Sequence, residues 1–135
     1  MKKCISFLFI SLIFSGSQIS AQTISMSADS VAVLFCRQWE QSYVLLGGQK
    51  IGTAGELMKV YHDYKPDHTL IISNNKDSTK IKGTWNYDPK KKIIILMING
   101  KHDIIVSLSD GEYVQKIETP NGATETKIVY KPRGT

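Results

Sequence analysis

Residues 79–98 limit the fold of this chain more than any other stretch. In the first half apolar and polar residues alternate, and successive side chains of an extended strand point to opposite faces. One face would then carry Ile81, Gly83, Trp85 and Tyr87. The second half, Ile93–Ile98, is apolar at every position and rich in β-branched residues, so it can be a strand only if both of its faces are covered. With a turn over residues 88–92 between them, the two halves predict a hairpin in the middle of a β-protein.

Runs with the same period of two recur along the chain. Together with the hairpin they predict eight strands, over residues 39–45, 58–64, 69–73, 79–87, 93–98, 104–108, 112–118 and 125–130. Asx-Gly and proline-containing turns separate them at spacings near ten residues, which is typical of an antiparallel meander and not of a parallel α/β sheet. The predicted fold is therefore all-β. Because closure removes both exposed edges, an eight-stranded barrel is the most economical arrangement, and a two-sheet sandwich is the alternative.

One short helix is predicted before the strands, over residues 25–35. Ser27 or Asp29 can accept hydrogen bonds from the free N–H groups of its first turn. The apolar face of this helix carries Val31, Leu34 and Phe35. In a single-layer barrel one face of the strand Ile93–Ile98 must point outward, and we expect the helix to cover it. A second protein is the alternative cover.

The first 21 residues have the three parts of a secretory signal peptide. They are a basic start at Lys2 and Lys3, an apolar run over residues 4–14 that is too short to span a bilayer comfortably, and a small residue, Ala21, at the cleavage position. Cleavage there leaves one domain over residues 22–135, which begins at Gln22 and is long enough for a single core. Because no cysteine follows the cut, a lipid anchor is not expected. The sequence therefore predicts a soluble protein in the periplasm or outside the cell, with no stable membrane anchor in its mature form.

Composition and residue spacing argue against several classes of partner and activity. Removal of Lys2 and Lys3 leaves 15 basic and 12 acidic side chains, a net charge of +3, without the clustered cations and aromatic platforms of a nucleic-acid surface. Cys36 is then the only cysteine, so stability must come from packing. Nucleophile, phosphate-loop and metal-ligand spacings are absent, and the aspartates lie at strand ends and turns, where they form local hydrogen bonds. We therefore expect no nucleic-acid partner, no metal, no cofactor and no enzymatic activity.

The barrel interior is the candidate site. An eight-stranded barrel is wide enough either to be filled by side chains or to hold one small ligand. The inward positions also carry the polar residues Gln41, His62, Gln115 and Thr126. A partly polar cavity suits them better than a dry core, and His62 is either a satisfied interior histidine or a group that orients a ligand. The ligand-binding residues that we predict in the lumen are Trp39, Tyr43, Met58, His62, Tyr64, Trp85, Tyr87 and Tyr113.

Three other features are expected to lie on the surface. His68 and His102 occupy turns and should be exposed. The glycines within residues 47–55 predict a flexible loop. Residues 90–92 are three lysines, which would solubilise the turn before the most apolar strand, with contact to an anionic head group as the alternative.

Four short motifs carry a family resemblance over almost the whole mature chain. They are Trp39 near the start of the first strand, Asp67-His68-Thr69 after Tyr64, Gly83-Thr84-Trp85, and Leu108-Ser109. In this pattern the chain resembles the lipocalin-like domains of small exported proteins from Bacteroidetes-type bacteria, within the wider lipocalin and fatty-acid-binding-protein group. It departs from that pattern at Arg37 and His68, where glycine is usual. The resemblance implies a closed or nearly closed barrel with room for a central pocket, and a cation–π contact between Arg133 and Trp39, but no particular ligand.

These observations lead to two hypotheses. The first is an exported lipocalin-like binding protein that holds a small, largely apolar ligand in the barrel lumen. The alternative is a barrel filled by its own side chains, whose outer face at Ile93–Ile98 or loop at residues 47–55 contacts another protein of the cell envelope.

Overall fold

The computed structural model describes residues 24–53 and 58–134. The predicted signal peptide over residues 1–21, the new N-terminus at Gln22 and the end of the predicted loop at Gly55 lie outside the described residues. Within the described ranges there are one helix and nine strands: α1 (Ala28–Phe35), β1 (Gln38–Leu46), β2 (Gln49–Thr53), β3 (Val60–Tyr64), β4 (Thr69–Asn74), β5 (Ile81–Asp88), β6 (Ile93–Ile98), β7 (Lys101–Leu108), β8 (Tyr113–Lys116) and β9 (Thr126–Pro132).

The strands form one antiparallel sheet that closes on itself. Each strand from β3 to β8 pairs with the next strand along the chain, and β1 pairs with both β3 and β9. Eight strands therefore form a closed barrel, and the predicted all-β meander barrel preceded by one short helix is confirmed. The ninth strand, β2, lies outside the barrel as the hairpin partner of the second half of β1.

The predicted flexible loop is wrong for residues 49–53, which form β2. Gly47 and Gly48 adopt φ angles of +58° and +83°. Glycine reaches this left-handed region without strain, and a two-residue hairpin turn of this kind requires it at both positions. The glycine pair thus reverses the chain, and β2 then pairs back along β1 from Leu46 to Tyr43.

The register of the strands defines the inner face of the barrel, because residues directly opposite each other on neighbouring strands share a face. Buried pairs on the inner face are Trp39 with His62, Trp85 with Leu96, and Tyr113 with Tyr130. The inward positions predicted from alternation are correct for each of Trp39, His62, Trp85 and Tyr113.

A bulge in β1 turns Tyr43 away from the lumen. The register between β1 and β9 shifts between Gln41 and Tyr43, so Gln41 lies opposite inward-facing Tyr130 while Tyr43 lies opposite Val129 on the outer face. The Nζ atom of Lys50 sits 4.4 Å from the centre of the Tyr43 ring. The predicted lumenal position of Tyr43 is therefore wrong, because the extra residue of a bulge breaks strict alternation.

A second bulge divides β7. Its register to β8 shifts between Ile105 and Ser107. Ile105 lies opposite Gln115, and Leu108 lies opposite Tyr113, so both face inward and both are buried. Ile104, which alternation predicts on the same face as Leu108, faces outward.

The helix packs into the lumen and not against the outer wall. Ser27 caps it as predicted, since its side chain accepts a hydrogen bond of 3.2 Å from the Ser30 N–H. Phe35 is fully buried, and its ring centre lies 3.8 Å from that of Tyr64 and 5.3 Å from that of Trp85, both of which point into the barrel. The helix therefore plugs one end of the lumen.

The expectation that the helix covers the outer side of β6 is wrong. Val31 and Phe35 belong to the same buried cluster as Ile94 and Leu96, the inward residues of β6. A barrel end lined by large rings provides more buried apolar contact for the helix than a convex outer wall does. The outward residues of β6 remain half-buried or exposed: Ile93, Ile95 and Met97.

The two ends of the barrel are tied differently. At the helix end, which carries α1 and the turns after β3, β5 and β7, the Ile24 N–H donates to the Lys92 carbonyl, 3.1 Å away, and Arg37 donates to the Asp110 carbonyl. At the open end, which carries the turns after β1, β4, β6 and β8, the Gly47 N–H donates to Glu125 O at 2.9 Å. The candidate site lies between these two ends.

Candidate functional site

A polar layer crosses the lumen between the apolar helix end and the open end. It consists of His62 and the hydroxyl groups of Tyr64, Tyr113 and Tyr130, all buried. His62 Nδ1 lies 2.8 Å from the Tyr113 hydroxyl and 3.1 Å from the Tyr64 hydroxyl, and His62 Nε2 lies 3.3 Å from the Tyr130 hydroxyl. The Tyr64 and Tyr113 hydroxyls are 3.0 Å apart. Side chains of β3, β8 and β9 are thus hydrogen-bonded to one another across the barrel.

Burial keeps this polar layer uncharged. Loss of solvation lowers the pKa of His62 from 6.5 to about 3, so its imidazole is neutral at neutral pH. The same loss of solvation raises the pKa of the Tyr64 and Tyr113 phenols well above the usual value, and it raises the pKa of Tyr130 as well. All three phenols therefore keep their protons.

An amide and a carboxylate lie next to the polar layer on its open-end side. Gln115 Nε2 donates to Asp103 Oδ2 at 2.8 Å, and the Glu118 N–H donates to Asp103 Oδ1 at 3.1 Å. The Gln115 side chain faces inward and the residue is 4% exposed. Its Oε1 has no hydrogen-bond partner among the residues that the structure describes. A buried acceptor without a donor costs about 1–3 kcal/mol, so a hydrogen-bond donor in the lumen would be stabilised there.

Apolar side chains surround this polar floor at the open end. Ile72 lies opposite His62 on one side and Ile81 on the other, so it stands directly beside the polar layer. Other inward-facing apolar residues at this end are Val44, Val60, Ile98 and Ile128, and all six are only half-buried. We call these six side chains, with the polar layer, Gln115 and Asp103 beneath them, the lumen cup.

A cavity of about 170 Å³ opens in the wall of the lumen cup. It is lined by Met58, Val60, Ile72, Ser73, Asn74, Thr79 and Ile81. Pairing between β4 and β5 ends at Ile72 and Ile81, which leaves the strands free to part at this rim. The cavity is therefore lined by four apolar side chains and three polar ones, Ser73, Asn74 and Thr79, a mixture that ligand pockets usually have.

The predicted site residues divide into two groups. His62, Tyr64 and Tyr113 come together in the polar layer, and Met58, 42% exposed, lines the cavity at its mouth. Trp39, Trp85 and Tyr87 also face inward, but they belong to the filled helix end; Trp39 lies opposite His62, and its ring centre is 5.0 Å from that of Tyr113.

The polar atoms of these three rings hold the helix end together. Trp39 Nε1 donates to the Phe35 carbonyl at 3.0 Å, and Trp85 Nε1 donates to the Lys65 carbonyl at 2.9 Å. The Tyr87 hydroxyl donates to the Met26 carbonyl at 2.7 Å. Their geometry is that of core residues.

Sequence reasoning left three members of the site out of the predicted set. Tyr130 completes the polar layer, and Gln115 is its neighbour; alternation predicts both inward, but the predicted ligand-binding set contains neither. Asp103 was interpreted as a turn aspartate. Alternation could not have identified it, because it places Asp103 on the outward face with Ile105, and only the bulge in β7 brings both residues inward.

The cation–π contact expected from the family resemblance is made by a different arginine. The Arg37 guanidinium lies 4.5 Å from the centre of the Trp39 ring, while the Arg133 guanidinium lies 4.3 Å from the ring of Tyr61. The expected contact of Arg133 with Trp39 is therefore wrong. Arg133 is held away from Trp39 because its backbone N–H and its guanidinium both donate to Gln38.

Outside the lumen cup the described residues offer little chemistry. Within residues 24–53 and 58–134, no cluster of three or more His, Cys, Asp or Glu side chains could hold a metal ion. Burial and the nearby charge of Asp67 raise the pKa of the Cys36 thiol, and a protonated thiol is a poor nucleophile. His68 and His102 are exposed, as predicted, and the His68 ring stacks on Trp85.

No helix in the described part of the chain has both the length and the apolar character that crossing a membrane requires.

Fold and site together define a class: a closed eight-stranded antiparallel β-barrel, plugged by a helix at one end and lined by an uncharged hydrogen-bonding layer. No family model, curated protein or solved structure matches this chain.

Proposed function

We propose that this protein is an exported lipocalin-like binding protein that holds a small, largely apolar molecule in the lumen cup without transforming it. One observation supports this most strongly: inward-facing aliphatic side chains such as Ile72 and Ile81 are only half-buried at the open end, although the helix end of the same lumen is filled. Each Å² of apolar surface removed from water is worth about 25 cal/mol, so an apolar ligand body would be stabilised against these walls.

The polar floor favours binding over catalysis. A general base works best when its pKa lies near the working pH, whereas the pKa of His62 is lowered to about 3. Its ring nitrogens lie within hydrogen-bonding distance of tyrosine hydroxyls. Such a layer can orient a polar end of a ligand without taking a proton from it.

Export is inferred from the first 21 residues. Expression of the full chain in a bacterial host, followed by N-terminal sequencing of the periplasmic fraction, tests it. The expected N-terminus is Gln22, and recovery of the intact chain in the cytoplasm would contradict export.

A pair of neighbouring isoleucines provides a sharp test of ligand binding. Ile72 faces inward as part of the lumen cup, and Ile71, the preceding residue of β4, faces outward; both are half-buried. Octan-1-ol is titrated into the ¹⁵N-labelled protein, and amide shifts are followed by NMR. Binding should shift amides at the open ends of β3, β4 and β8 in the wild type and in Ile71→Trp, and it should be lost in Ile72→Trp, whose ring fills the cavity.

Val60→Trp serves as a second filled variant, in case Ile72→Trp folds poorly. Retention of the octan-1-ol shifts in both filled variants, or their absence from the wild type, would contradict binding in the lumen cup.

A second candidate function is contact with another protein through the outer wall. Ile95 lies opposite Ile104 on the outer face, and Met97 is exposed beside them. Next to this strip a surface groove of about 390 Å³ is lined by His102, Ile104, Lys116, Ile117, Glu118 and Thr119. A partner that uses this surface should be lost from cross-linked envelope extracts on Ile104→Lys but kept on Ile71→Lys, an equivalent outward change on a distant strand.

A further inference from the structure

The polar layer contains one more hydroxyl proton than it can use. Neutral His62 and three phenols bring four protons. If His62 carries its proton on Nε2, it donates to Tyr130, and Nδ1 accepts from one of the other two tyrosines. The Tyr130 proton then has no acceptor in the layer. If His62 carries its proton on Nδ1, Tyr130 donates to Nε2, and one of Tyr64 and Tyr113 keeps an unused proton. In either tautomer one phenol remains a free donor.

Gln115, two residues along β8 from Tyr113, lacks a hydrogen-bond donor for its side-chain oxygen in the described part of the chain. Its Oε1 is a buried acceptor that no donor in the described residues reaches, while its Nε2 is held by Asp103. The lumen therefore holds an unused donor and an unused acceptor on the same side of the helix plug. A single group that both accepts and donates a hydrogen bond would satisfy both.

The charges around the lumen cup disfavour an anion. The polar layer is neutral, and the carboxylate beside it is that of Asp103. Among the inward-facing residues of the described strands, the cation near the lumen cup is Lys101. It lies opposite Ile98 at the rim, and its side chain is exposed to solvent. An anionic head group on the floor would thus be buried near a like charge without a partner, which is costly.

We propose, on the basis of the proposed function, that the lumen cup selects ligands whose polar end is an uncharged group that both donates and accepts hydrogen bonds, such as a primary amide or an alcohol, and rejects the carboxylate of the same chain. Gln115 is the specificity-determining residue: it accepts from the ligand, while the free phenol donates to it.

Three ligands of nearly the same shape test this selection. They are octanamide, nonan-2-one, in which a methyl group replaces the amide nitrogen, and octanoate, which is ionised at pH 7.5. Affinities come from NMR titration of the wild type and of Gln115→Met, a variant of similar volume without the amide. Asn86→Met, which changes an exposed outward amide of β5, is the matched control.

The wild type should bind octanamide at least tenfold more tightly than octanoate. Gln115→Met should weaken octanamide roughly three- to tenfold, the worth of one hydrogen bond, and should leave nonan-2-one unchanged. Asn86→Met should change neither.

The outcomes distinguish a failure of head-group selection from a failure of ligand binding in the lumen cup. Octanoate binding as tightly as octanamide, or an equal loss of octanamide and nonan-2-one in Gln115→Met, would overturn the head-group selection and leave lumen binding intact. If none of the three ligands binds the wild type, the proposed function itself is wrong.

Discussion

His62 gives the stability of this protein its own dependence on pH. Its pKa is about 3 in the folded state and 6.5 when solvated, so the unfolded chain binds the proton more readily. Because of His62, the free energy of unfolding is therefore highest above pH 6.5. It falls by up to about 1.4 kcal/mol for each pH unit as the pH decreases toward 3. Between pH 6.5 and 4.5 the free energy of unfolding, measured by urea titration, should fall by about 2 kcal/mol. The carboxylates contribute mainly below this window, because the pKa of Asp67, Asp77, Asp88 and Glu125 is lowered by their hydrogen bonds.

Histidine variants separate this effect from general acid sensitivity. His62→Gln should be less stable at pH 7 but nearly insensitive to pH between 6.5 and 4.5. His102→Gln changes an exposed imidazole and should keep the wild-type slope. An unchanged slope in His62→Gln would show that another group controls acid stability.

Gly83 is required by close packing of β5 against β6. A Cβ at this position would lie 2.7 Å from the Met97 carbonyl oxygen and 3.2 Å from Ile98 Cγ1. Since the oxygen belongs to the backbone, the strands would have to separate, and Gly83→Ala should cost roughly 1–3 kcal/mol in urea unfolding. Gly111→Ala is the control, because a Cβ there meets nothing within 4 Å. Equal stability of the two variants would mean that β5 and β6 separate without cost.

At the level of elements, the helix acts through one ring. Phe35 is fully buried among the rings of Trp39, Tyr64, Trp85 and Tyr113, with which it makes tilted or edge-on contacts. Phe35→Ala would leave a cavity at the centre of this cluster and should lower the free energy of unfolding by about 3–5 kcal/mol.

Val33 is the matched control on the same helix, being 86% exposed, and Val33→Ala should change stability by less than about 0.5 kcal/mol. If Phe35→Ala were as mild as Val33→Ala, the helix would not be part of the core.

Most barrel strands could be predicted from the sequence because each has one face in the lumen, which imposes the period of two. β6 is apolar at every position and was predicted from its β-branched residues instead. β2 escapes this rule: Gln49–Thr53 is held by pairing with β1, outside the barrel, and residues 49–52 are all exposed, so neither face is set apart by burial. The bulges in β1 and β7 could not be predicted either, because the sequence pattern does not mark their positions. Gln41 and Tyr43 are two residues apart, yet they face opposite ways.

The packing position of the helix could not be predicted from periodicity either. Its apolar face could be identified, but the lumen and the outer side of Ile93–Ile98 are both apolar, and periodicity does not choose between them. This ambiguity explains the site prediction. Trp39 and Trp85 occupy inward positions just as His62 does, and only the position of Phe35 reveals that their part of the lumen is full.

At the scale of the whole molecule, the barrel has one half that is filled by buried side chains and one half that is less well buried. The helix end contains the buried rings and aliphatic side chains, whereas inward residues of the open end, such as Val60 and Ile81, are only half-buried. Closure is also uneven, because β1 pairs with β3 only over residues 38–40, and its far half pairs with β2 instead. Local opening should therefore begin at the open end, along the seam between β1 and β3.

Native-state hydrogen exchange resolves this gradient within single strands. Regions with fewer buried apolar contacts open at lower free energy, so protected amides near Leu70 of β4 and Trp85 of β5 should exchange more slowly than those near Asn74 and Ile81. Because a ligand stabilises only the state that binds it, saturating octan-1-ol should slow exchange at the open end, where local opening disrupts the lumen cup, and should also slow those helix-end amides that exchange only by global unfolding. Uniform protection along β4 and β5 would mean that the barrel opens as one unit. In that case the open end would be no less stable locally than the helix end.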